Sequence, residues 1–563
     1  MLRIIQSQNA TAARHYFDEA LAKGDGYYFA DRGEREIVGH WFGRDAERLG
    51  LAGPVDRDAF HALVEGKDPR SGEPLLQRMR DDRRPGYDFN FHAPKSVSLF
   101  YELSRDERIR LAFEQSVRDT MTEIEKDMAT RDQSGGKSRK VKTGSMVAAE
   151  FTHFTSRPAK EDSRPDPHLH MHVFVMNATH DERRGRWYAP EFHDLHIDRP
   201  YHQAAFQKRL ASRLQGLGYA VVKTDDAFEI EGVQRATIDK FSRRAREVED
   251  EARRKGITDA KEKDKLGAKT RGGKEKDLTR DELRSYWIGR LDPDEGRDLE
   301  AVAARARKGK AAAPEGPTAA QAIDYARDHL FERRSAVSEK ALLAEGLRHA
   351  VANPAVTPDG LAEEVRRRAD FLHGTVKGER WLSTREVFDE EQRMIAFARD
   401  GLSSRTPFQR GRLDDAPIEA DGKAAELSGE QKKAVRDLVQ GSDRVQLLVG
   451  KAGTGKTTTL REIQKHVREG GYEFLTFAPS NNARDVLRRD GFGQAETVQK
   501  LLASSSLQDA VHRRSLIAVD EAGLLSSRDM ARVCALAERK GARLLLIGDS
   551  LQHGSVERGD ALR

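Results

Sequence analysis

The sequence has 563 residues, which at about 150 residues per domain predicts three to four domains. Charged residues make up 34% and hydrophobic residues 37%, so the chain can bury cores and still expose much polar surface. A single cysteine, Cys534, excludes a disulfide framework and a Cys-rich zinc module. Because no apolar run approaches about 18 residues and the start has no signal-peptide pattern, we expect a cytoplasmic protein without membrane insertion. The formal charge of +5 does not by itself indicate nucleic-acid binding.

Three tyrosines lie near the N-terminus, at Tyr16, Tyr27 and Tyr28. Tyr16 and Tyr27 are eleven residues apart, close to three helical turns, so one continuous helix would face both the same way. Gly24 and Gly26 favour a helix–loop–helix instead. A phenolate beside a metal that polarises a phosphate can carry out phosphodiester transesterification. Packing of these rings in the core is the alternative.

Hydrophobic periodicity predicts the next elements of the N-terminal half. Alternation with period two predicts strands at 88–92, 146–154 and 169–175. Apolar residues at helical spacing predict a long helix over 105–128. The N-terminal half therefore reads as a mixed α+β domain.

Three histidines follow one another with strand spacing at His168, His170 and His172. On a strand they share one face, about 6.5–7 Å apart at each step. Two neighbouring imidazoles and His153 from another strand would hold one divalent metal and leave positions open for substrate. The spacing allows either the first or the second neighbouring pair, and a plain surface or core role is the alternative for a lone pair.

The amino-acid composition changes in the middle of the chain. Residues 241–280 contain 14 Lys/Arg and 9 Asp/Glu, which predicts a solvated helical face with a mobile loop or, alternatively, a basic strip beside DNA. Residues 308–318 form a Gly/Pro-containing linker, and 319–400 is predicted to be entirely helical. After a polar linker at 401–425, strand and helix patterns alternate and predict a parallel α/β domain.

The strongest local motif is Gly450-Lys-Ala-Gly-Thr-Gly-Lys-Thr457, which matches G-x-x-x-x-G-K-[ST] between a buried strand and a helix. Its backbone N–H groups would face phosphates, its lysine would reach the β and γ phosphates, and its final threonine would bind Mg²⁺. We therefore predict ATP with Mg²⁺ here. The predicted nucleotide-binding residues of this motif are Gly450, Gly453, Thr454, Gly455, Lys456, Thr457 and Thr458.

Two further strands end in carboxylates. The strand 515–519 ends in Asp520 and Glu521, and the strand 543–547 is followed by Gly548 and Asp549. Beside a P-loop, strand-end carboxylates suit a metal-holding aspartate and a glutamate that orients the attacking water. An ordinary strand-to-loop turn is the alternative for each pair alone.

This half resembles the RecD-like branch of superfamily 1 helicases over about 135 residues. The resemblance rests on Gln431, the P-loop, the segment Phe477-Ala-Pro-Ser-Asn, Asp520-Glu521 and Gly548-Asp549 with Gln552. It implies that Gln431 reads adenine and Gln552 senses the γ-phosphate. A second RecA-like domain follows in that family, so for this chain alone we expect nucleotide binding with weak or absent hydrolysis.

The N-terminal half resembles the MobF class of conjugative relaxases, the TrwC- and TraI-like HUH endonucleases, over about 300 residues. The stretches that carry the resemblance are Tyr16-Phe17, Tyr27-Tyr28, Trp41 to Leu51, Tyr87 to Ser98, His153 to Arg157, and Asp166 to His172 ending near Asn177. The D-P-x-L-H-x-H pattern implies that His153, His170 and His172 bind the metal, with His168 at a variable position.

The resemblance also implies roles for other residues. Tyr16 would be the nicking nucleophile that keeps the 5′ phosphate, and Tyr27 or Tyr28 would act in the second strand transfer. Asp88 would accept a tyrosine proton or orient a histidine. The metal would be Mg²⁺ or Mn²⁺. Lys95 and Arg157 lie within matched stretches and are expected to contact DNA.

The predicted organisation is an α+β HUH relaxase domain with an antiparallel sheet (1–310), a helical pre-helicase connector (319–400) and an α/β RecA-like P-loop domain (426–563), the first half of a motor. The predicted partners are origin-of-transfer DNA, accessory relaxosome proteins and coupling proteins. A rolling-circle replication or transposition initiator is an alternative function, as is a DNA- and nucleotide-binding remnant without turnover. Tyrosines that precede the histidines favour the relaxase.

Overall fold

The structure is a computed structural model that divides into two units. The N-terminal unit comprises residues 1–326 and 340–366, and the C-terminal unit comprises 327–339 and 367–563. The residues that the structure describes are 1–7, 9–16, 39–77, 83–132, 138–160, 162, 164–225, 227–259, 262–263, 266, 278–309, 316–411, 413, 418–420, 423–425, 427–451 and 454–549.

A five-stranded antiparallel sheet organises the N-terminal unit, with strand order β1-β3-β7-β6-β2. Three two-stranded antiparallel ribbons, β4-β5, β8-β9 and β10-β11, accompany it among the described residues. The strands are β1 (Leu2–Gln6), β2 (His40–Phe42), β3 (Gly86–His92), β4 (Ala129–Asp132), β5 (Arg139–Lys142), β6 (Ala148–Thr155), β7 (Pro167–Met176), β8 (Thr179–Asp181), β9 (Arg186–Tyr188), β10 (Val221–Lys223) and β11 (Phe228–Ile230).

Helices cover both faces of this sheet. The predicted long helix is α5, whose apolar stripe from Ile109 to Ile124 is buried and whose first turn is capped by Asp106. The helices are α1 (Ala10–Tyr16), α2 (Arg44–Arg48), α3 (Arg57–Glu65), α4 (Lys95–Ser104), α5 (Glu107–Asp127), α6 (His193–Gly216), α7 (Arg235–Lys240), α8 (Arg243–Arg254), α9 (Arg280–Gly289), α10 (Pro293–Arg307), α11 (Ala319–Phe331), α12 (Glu339–His349) and α13 (Pro358–Arg367). The predicted α+β domain with an antiparallel sheet is confirmed.

The two faces of the sheet bury different cores. Phe89, Phe91 and Val173 belong to a core that includes residues of α5 and α6. Phe151 and Phe174 belong to a second core that includes residues of α1, α2 and α3. Because side chains alternate along a strand, Asp88 and every second residue after it on β3 point to this second face. His170 and every second residue after it on β7 point to the same face.

A parallel sheet organises most of the C-terminal unit, with strand order β17-β21-β20-β18-β19. The strands are β12 (Val337–Ser338), β13 (Phe371–Val376), β14 (Glu379–Thr384), β15 (Ile418–Ala420), β16 (Lys423–Ala425), β17 (Val445–Val449), β18 (Glu473–Ala478), β19 (Glu496–Thr497), β20 (Ser515–Val519) and β21 (Arg543–Gly548). The helices are α14 (Arg385–Arg399), α15 (Gly429–Gln440), α16 (Lys456–Glu469), α17 (Asn481–Arg489), α18 (Val498–Ala503), α19 (Ser505–Ala510) and α20 (Ser527–Lys540), with a short 3₁₀ helix at Ala522–Leu524. The predicted α/β P-loop domain is confirmed.

The prediction of an entirely helical segment over 319–400 is wrong. Three antiparallel strands, in the order β12-β14-β13, lie within it. Lys377 and Gly378 join β13 to β14 with φ of 50° and 84°, and positive φ at both central residues is the preferred geometry of a two-residue hairpin turn. Gly374 lies inside β13 opposite Trp381.

No helix in the described part of the chain is both long enough and apolar enough to span a membrane.

Candidate metal centre and nucleotide site

Three histidines on neighbouring strands form a compact triangle. His153 on β6 pairs with His170 on β7, and His172 follows two residues later on the same face. The ring centroids are 5.1 Å apart for His153 and His170 and 5.2 Å apart for both other pairs. His153 and His172 are buried, with 7% and 9% of their surface exposed. The three rings therefore lie close together on one face of the sheet, and two of them are buried.

Two of these rings are oriented through their Nδ1 atoms. Nδ1 of His172 lies 2.7 Å from Oδ2 of Asp88, and Nδ1 of His170 lies 3.0 Å from the carbonyl oxygen of His168. Since a carbonyl and an ionised carboxylate only accept, both Nδ1 atoms donate, and Nε2 is the nitrogen of each ring that remains for a metal. An imidazole that is held in this way is prepared to bind a metal through Nε2.

The donor set fits a divalent ion. Three imidazoles on one side of an ion leave its other positions for oxygen ligands, an arrangement that several first-row divalent ions accept. The metal-ligand roles of His153, His170 and His172 remain a prediction, and the structure brings the three predicted rings together.

A fourth and a fifth imidazole adjoin the triangle. Nδ1 of His92 lies 2.8 Å from Nε2 of His168, and the His92 ring stacks on His170 with centroids 5.6 Å apart. Burial and the neighbouring imidazoles hold the pKa of His92 and of His168 well below the usual 6.5. The position of His168 beside His92 was not predicted.

Sequence reasoning also missed Asn90. Asn90 pairs with His172 across β3 and β7, and its Nδ2 lies 3.4 Å from Nε2 of His172. The available signal was the period of two that starts at Asp88 and places Asp88, Asn90 and His92 on one face of β3.

The predicted nucleophile ends a helix on the same face of the sheet. Helix α1 places Ala13 in the core that includes Phe151, the cross-strand partner of His172. Arg14 of α1 donates a 2.6 Å hydrogen bond to Glu65 of α3. Tyr16 is the last residue of α1, but its side chain lies outside the described residues, as do Tyr27 and Tyr28.

The loop between β6 and β7 is fixed by arginines from later helices. Asp166 is 3% exposed and accepts a 3.0 Å bond from Nε of Arg243 and a 2.7 Å bond from Nη1 of Arg290. Arg243 also donates to Asp162 at 2.7 Å and to the Tyr286 hydroxyl at 3.1 Å. Burial works against ionisation of Asp162, but hydrogen bonds from Tyr286 and Arg243 outweigh it and lower its pKa to about 2. Arg243 opens the basic stretch of 241–280, and here it supports the strand that carries the histidines.

The two predicted DNA contacts differ in their surroundings. Nζ of Lys95 donates a 2.9 Å hydrogen bond to the carbonyl oxygen of Pro167, and burial lowers its pKa to about 8. Arg157 is exposed in the loop after β6. Lys95 thus supports the first residue of β7, and DNA binding by either residue remains a prediction.

A second cluster of potential metal ligands contacts the ammonium group of a lysine side chain. Ligand atoms of Asp127, Asp198 and His202 lie within 4.8 Å of one another. Nζ of Lys340 donates 2.6 Å hydrogen bonds to both carboxylates. Lys340 therefore supplies the positive charge that these carboxylates require.

The P-loop of the C-terminal unit lies between β17 and α16. Gly455 has φ of 78°, a left-handed conformation that favours glycine. A Cβ added there would lie 2.3 Å from Nε2 of Gln431, so that flexible side chain would have to move. Nζ of Lys456 donates to the carbonyl oxygens of Gly450 at 2.6 Å and of Lys451 at 3.0 Å. The ammonium group therefore lies over the loop where phosphates would bind.

The strand order brings the predicted carboxylates to the same edge as the P-loop. Asp520 follows β20 and Asp549 follows β21, and β21 lies directly between β17 and β20. Burial, with a contribution from the Glu521 carboxylate, raises the pKa of Asp520. Glu521 itself has a positive φ of 49°, which points to local strain at the strand end.

Gln431 touches the P-loop backbone. Its Nε2 donates to the carbonyl oxygens of Thr454 at 3.2 Å and Gly455 at 3.4 Å, while its Oε1 accepts from the Ser428 amide at 2.8 Å. Thr457 and Thr458 lie in the first turn of α16. Gly453 and Gln552 lie outside the described residues.

Comparison with known proteins supports the predicted family resemblance of each half of the chain. The TrwC relaxase family profile matches residues 10–293, and the AAA domain profile matches residues 426–563. The multifunctional conjugation protein TraI of Escherichia coli strain K12 is 35% identical over 262 residues, which cover 44% of this chain and 14% of that protein. Another Escherichia coli TraI is 27% identical over 592 residues, which cover 99% of this chain and 31% of that protein. This chain thus spans less than a third of the length of either relative.

A solved structure also matches the N-terminal half. The metal-bound complex of the conjugative relaxase TrwC with oriT DNA is 27% identical, with a TM-score of 0.45. The match covers 52% of this chain and 97% of that one.

Proposed function

The chain belongs to the TrwC relaxase family, and on that premise we propose that it nicks one strand of origin-of-transfer DNA at a specific site by tyrosine transesterification. The product is a 5′-phosphotyrosine adduct and a free 3′ hydroxyl. The proposed nucleophile is Tyr16, and Tyr27 or Tyr28 acts in the second strand transfer.

One observation carries this proposal. Three imidazoles lie 5.1–5.2 Å from one another on the sheet face against which α1 packs, and Tyr16 is the last residue of α1. A tyrosine nucleophile and a divalent ion are the pair of groups that phosphodiester transesterification requires, and the helix that ends at Tyr16 packs on the face that carries the imidazoles.

The reaction has a simple balance of bonds. The Tyr16 oxygen attacks the scissile phosphorus and loses its proton, and the bond from phosphorus to the 3′ oxygen breaks. The 3′ oxygen leaves with a proton, and the 5′ phosphate stays on Tyr16. Asp88 holds His172 in the tautomer with the lone pair on Nε2.

The metal ion belongs to the histidine triangle. His153, His170 and His172 would hold it, and we propose Mn²⁺ or Mg²⁺. Such an ion withdraws negative charge from the phosphate oxygens when the substrate is bound.

The C-terminal unit is proposed to bind ATP with Mg²⁺ as part of a helicase-type motor. Lys456 and Thr457 at the N-terminus of α16 would bind phosphates and Mg²⁺, and Asp520 and Glu521 would face them from β20. We propose domain limits of 1–310 for the relaxase and 426–563 for the motor part. The proposed partners are origin DNA with relaxosome and coupling proteins, and the proposed compartment is the cytoplasm.

Nicking is tested with a supercoiled plasmid that carries the transfer origin to which the protein binds. With Mn²⁺ or Mg²⁺ present, the protein should convert supercoiled plasmid to open circles after protease and detergent treatment, with a single nick mapped by run-off sequencing. His170→Ala should abolish this conversion. A protein that binds the plasmid but leaves it supercoiled with every divalent ion would instead be a DNA-binding remnant.

A further inference from the structure

Asn90 occupies a central place beside the metal-binding triangle. It lies on β3 directly opposite His172 on β7. Residues that pair directly across an antiparallel ladder point to the same face of the sheet. Asn90 therefore shares the face of His170, His172 and His153.

The Asn90 amide is buried and incompletely satisfied. Asn90 is 8% exposed, and its Oδ1 is buried without a hydrogen-bond donor among the described residues. Buried side-chain oxygens are nearly always partnered, and here no hydrogen bond to the oxygen fixes which way round the Asn90 amide lies.

The distance to His172 fits a shared ion better than a hydrogen bond. Nδ2 of Asn90 lies 3.4 Å from Nε2 of His172, longer than a good N–H···N contact. Two atoms bound to one ion at about 2.1–2.2 Å each lie roughly 3.0–3.6 Å apart when they are adjacent ligands. A half-turn of the amide exchanges oxygen for nitrogen at this position, and the two orientations have the same shape.

The neighbouring side chain on β3 has a different task. Asp88 contacts Nδ1 of His172, on the other side of the ring from Nε2. It supports the ring, whereas Asn90 lies at the nitrogen that would bind the ion.

We propose that the side-chain oxygen of Asn90 is a fourth protein ligand of the divalent ion held by His153, His170 and His172. This inference rests on the metal centre of the proposed function and deepens it. Amide oxygens suit Mg²⁺ and Mn²⁺, whereas imidazoles alone suit Zn²⁺, Ni²⁺ and Cu²⁺ as well. Asn90 therefore makes the site favour Mg²⁺ and Mn²⁺, the ions used in phosphoryl chemistry. The remaining coordination positions of the ion are left for DNA.

The test is Mn²⁺ binding to the purified full chain without DNA, followed by electron paramagnetic resonance. Asn90→Ala should weaken Mn²⁺ binding by about 10-fold or more and Zn²⁺ binding by less. Asn90→Asp, which keeps the shape and adds charge, should bind Mn²⁺ at least as tightly as the wild type and guards against a folding defect in the alanine variant. In wild-type protein labelled with ¹³C-asparagine, electron–nuclear double resonance should detect a ¹³C coupling to Mn²⁺ that Asn90→Ala abolishes.

Thr152→Ala is the matched control. Thr152 adjoins His153 on β6 but points to the other face, where its hydroxyl donates to Glu114 at 3.1 Å. Its Mn²⁺ affinity should equal that of the wild type. Equal Mn²⁺ affinity in Asn90→Ala and wild type, or no ¹³C coupling, would overturn the role of Asn90.

His153→Ala separates this failure from a failure of the proposed function. If His153→Ala loses Mn²⁺ and Asn90→Ala does not, the histidine centre stands and Asn90 is not a ligand. If the wild type binds neither Mn²⁺ nor Mg²⁺, the histidines hold no ion and both proposals are wrong. If His153→Ala binds Mn²⁺ as tightly as the wild type, the metal centre is elsewhere and both proposals are again wrong.

Discussion

Oδ2 of Asp88 lies 2.7 Å from Nδ1 of His172, across two neighbouring strands of the N-terminal sheet. Both side chains are largely buried, with 15% and 11% of their surface exposed. The carboxylate fixes the ring orientation and the tautomer, and it makes the opposite nitrogen a stronger ligand. The relationship gives Asp88 a positioning role at the proposed metal centre.

Asp88→Asn should weaken metal binding without unfolding the protein. An amide can still reach Nδ1, but it adds no negative charge behind the ring, so Mn²⁺ affinity should fall by about 10-fold or more. Isothermal titration with Mn²⁺ measures the change. Asp281→Asn, whose side chain is 72% exposed in the same unit, is the control and should leave the affinity unchanged. Equal affinities of Asp88→Asn and wild type would show that this hydrogen bond does not tune the site.

The buried cluster around Asp166 predicts a large loss of stability. Arg243→Ala removes a charge partner from a carboxylate that is 3% exposed and should lower the free energy of unfolding by about 3 kcal/mol. Urea unfolding measures this change. Arg297→Ala breaks a pair whose side chains are 72% and 79% exposed, so it should cost less than about 1 kcal/mol. If the two variants lose equal stability, the cluster does not anchor the histidine strand.

The contact between Asp127 and Lys340 predicts a pH-dependent stability. Burial works against ionisation, but Lys340 and Lys142 outweigh it and lower the pKa of Asp127 from 3.8 to about 2. A carboxylate with a depressed pKa stabilises the fold above its unfolded-state pKa, and this contribution is lost as pH falls from about 4 towards 2. Lys340→Met should therefore lower stability by about 1–2 kcal/mol at pH 7 and by clearly less at pH 3. Thermal melts at both pH values check this.

Lys263→Met is the control for that series. Lys263 pairs with Glu249, whose side chain is 53% exposed, so the stability of this variant should equal that of the wild type at both pH values. A Lys340→Met deficit that is the same at pH 7 and pH 3 would contradict the ionic origin of the effect.

The P-loop lysine predicts a loss of nucleotide binding. Lys456→Ala removes the ammonium group that lies over Gly450 and Lys451, so affinity for a fluorescent ATP analogue should fall by at least about 100-fold. Lys465→Ala, on the exposed side of the same helix, should bind like the wild type. Equal binding by Lys456→Ala would mean that the nucleotide binds elsewhere.

Periodicity and motif spacing predicted the elements that carry the chemistry. The strand at Ser515–Val519 has the predicted bounds and is buried, and the strands of His153, His170 and Asp88 form as expected. The strand before the P-loop also forms, at Val445–Val449, but the prediction that it is buried is wrong, because Leu447 and Val449 are 52% and 50% exposed. Buried strands can be identified from a sequence because a short apolar run and the turn residues that bound it indicate the same element. The family resemblance is confirmed by the profile match over residues 10–293.

The features that were missed depend on pairing between distant residues. The hairpin at Phe371–Thr384 falls in the segment that was predicted to be entirely helical, and its two strands pair around the turn Lys377-Gly378. Asn90 and His92 lie at the site because of the register in which β3 pairs with β7. Strand register is set by long-range packing, which a single sequence does not display.

Covalent capture tests the central claim most directly. The protein is incubated with Mn²⁺ and a single-stranded oligonucleotide spanning its transfer origin, and the adduct is digested and sequenced by mass spectrometry. The account predicts a 5′-phosphotyrosine peptide at Tyr16, which disappears in Tyr16→Phe and persists in Tyr27→Phe. An adduct at another residue, or an adduct that persists in Tyr16→Phe, would contradict it.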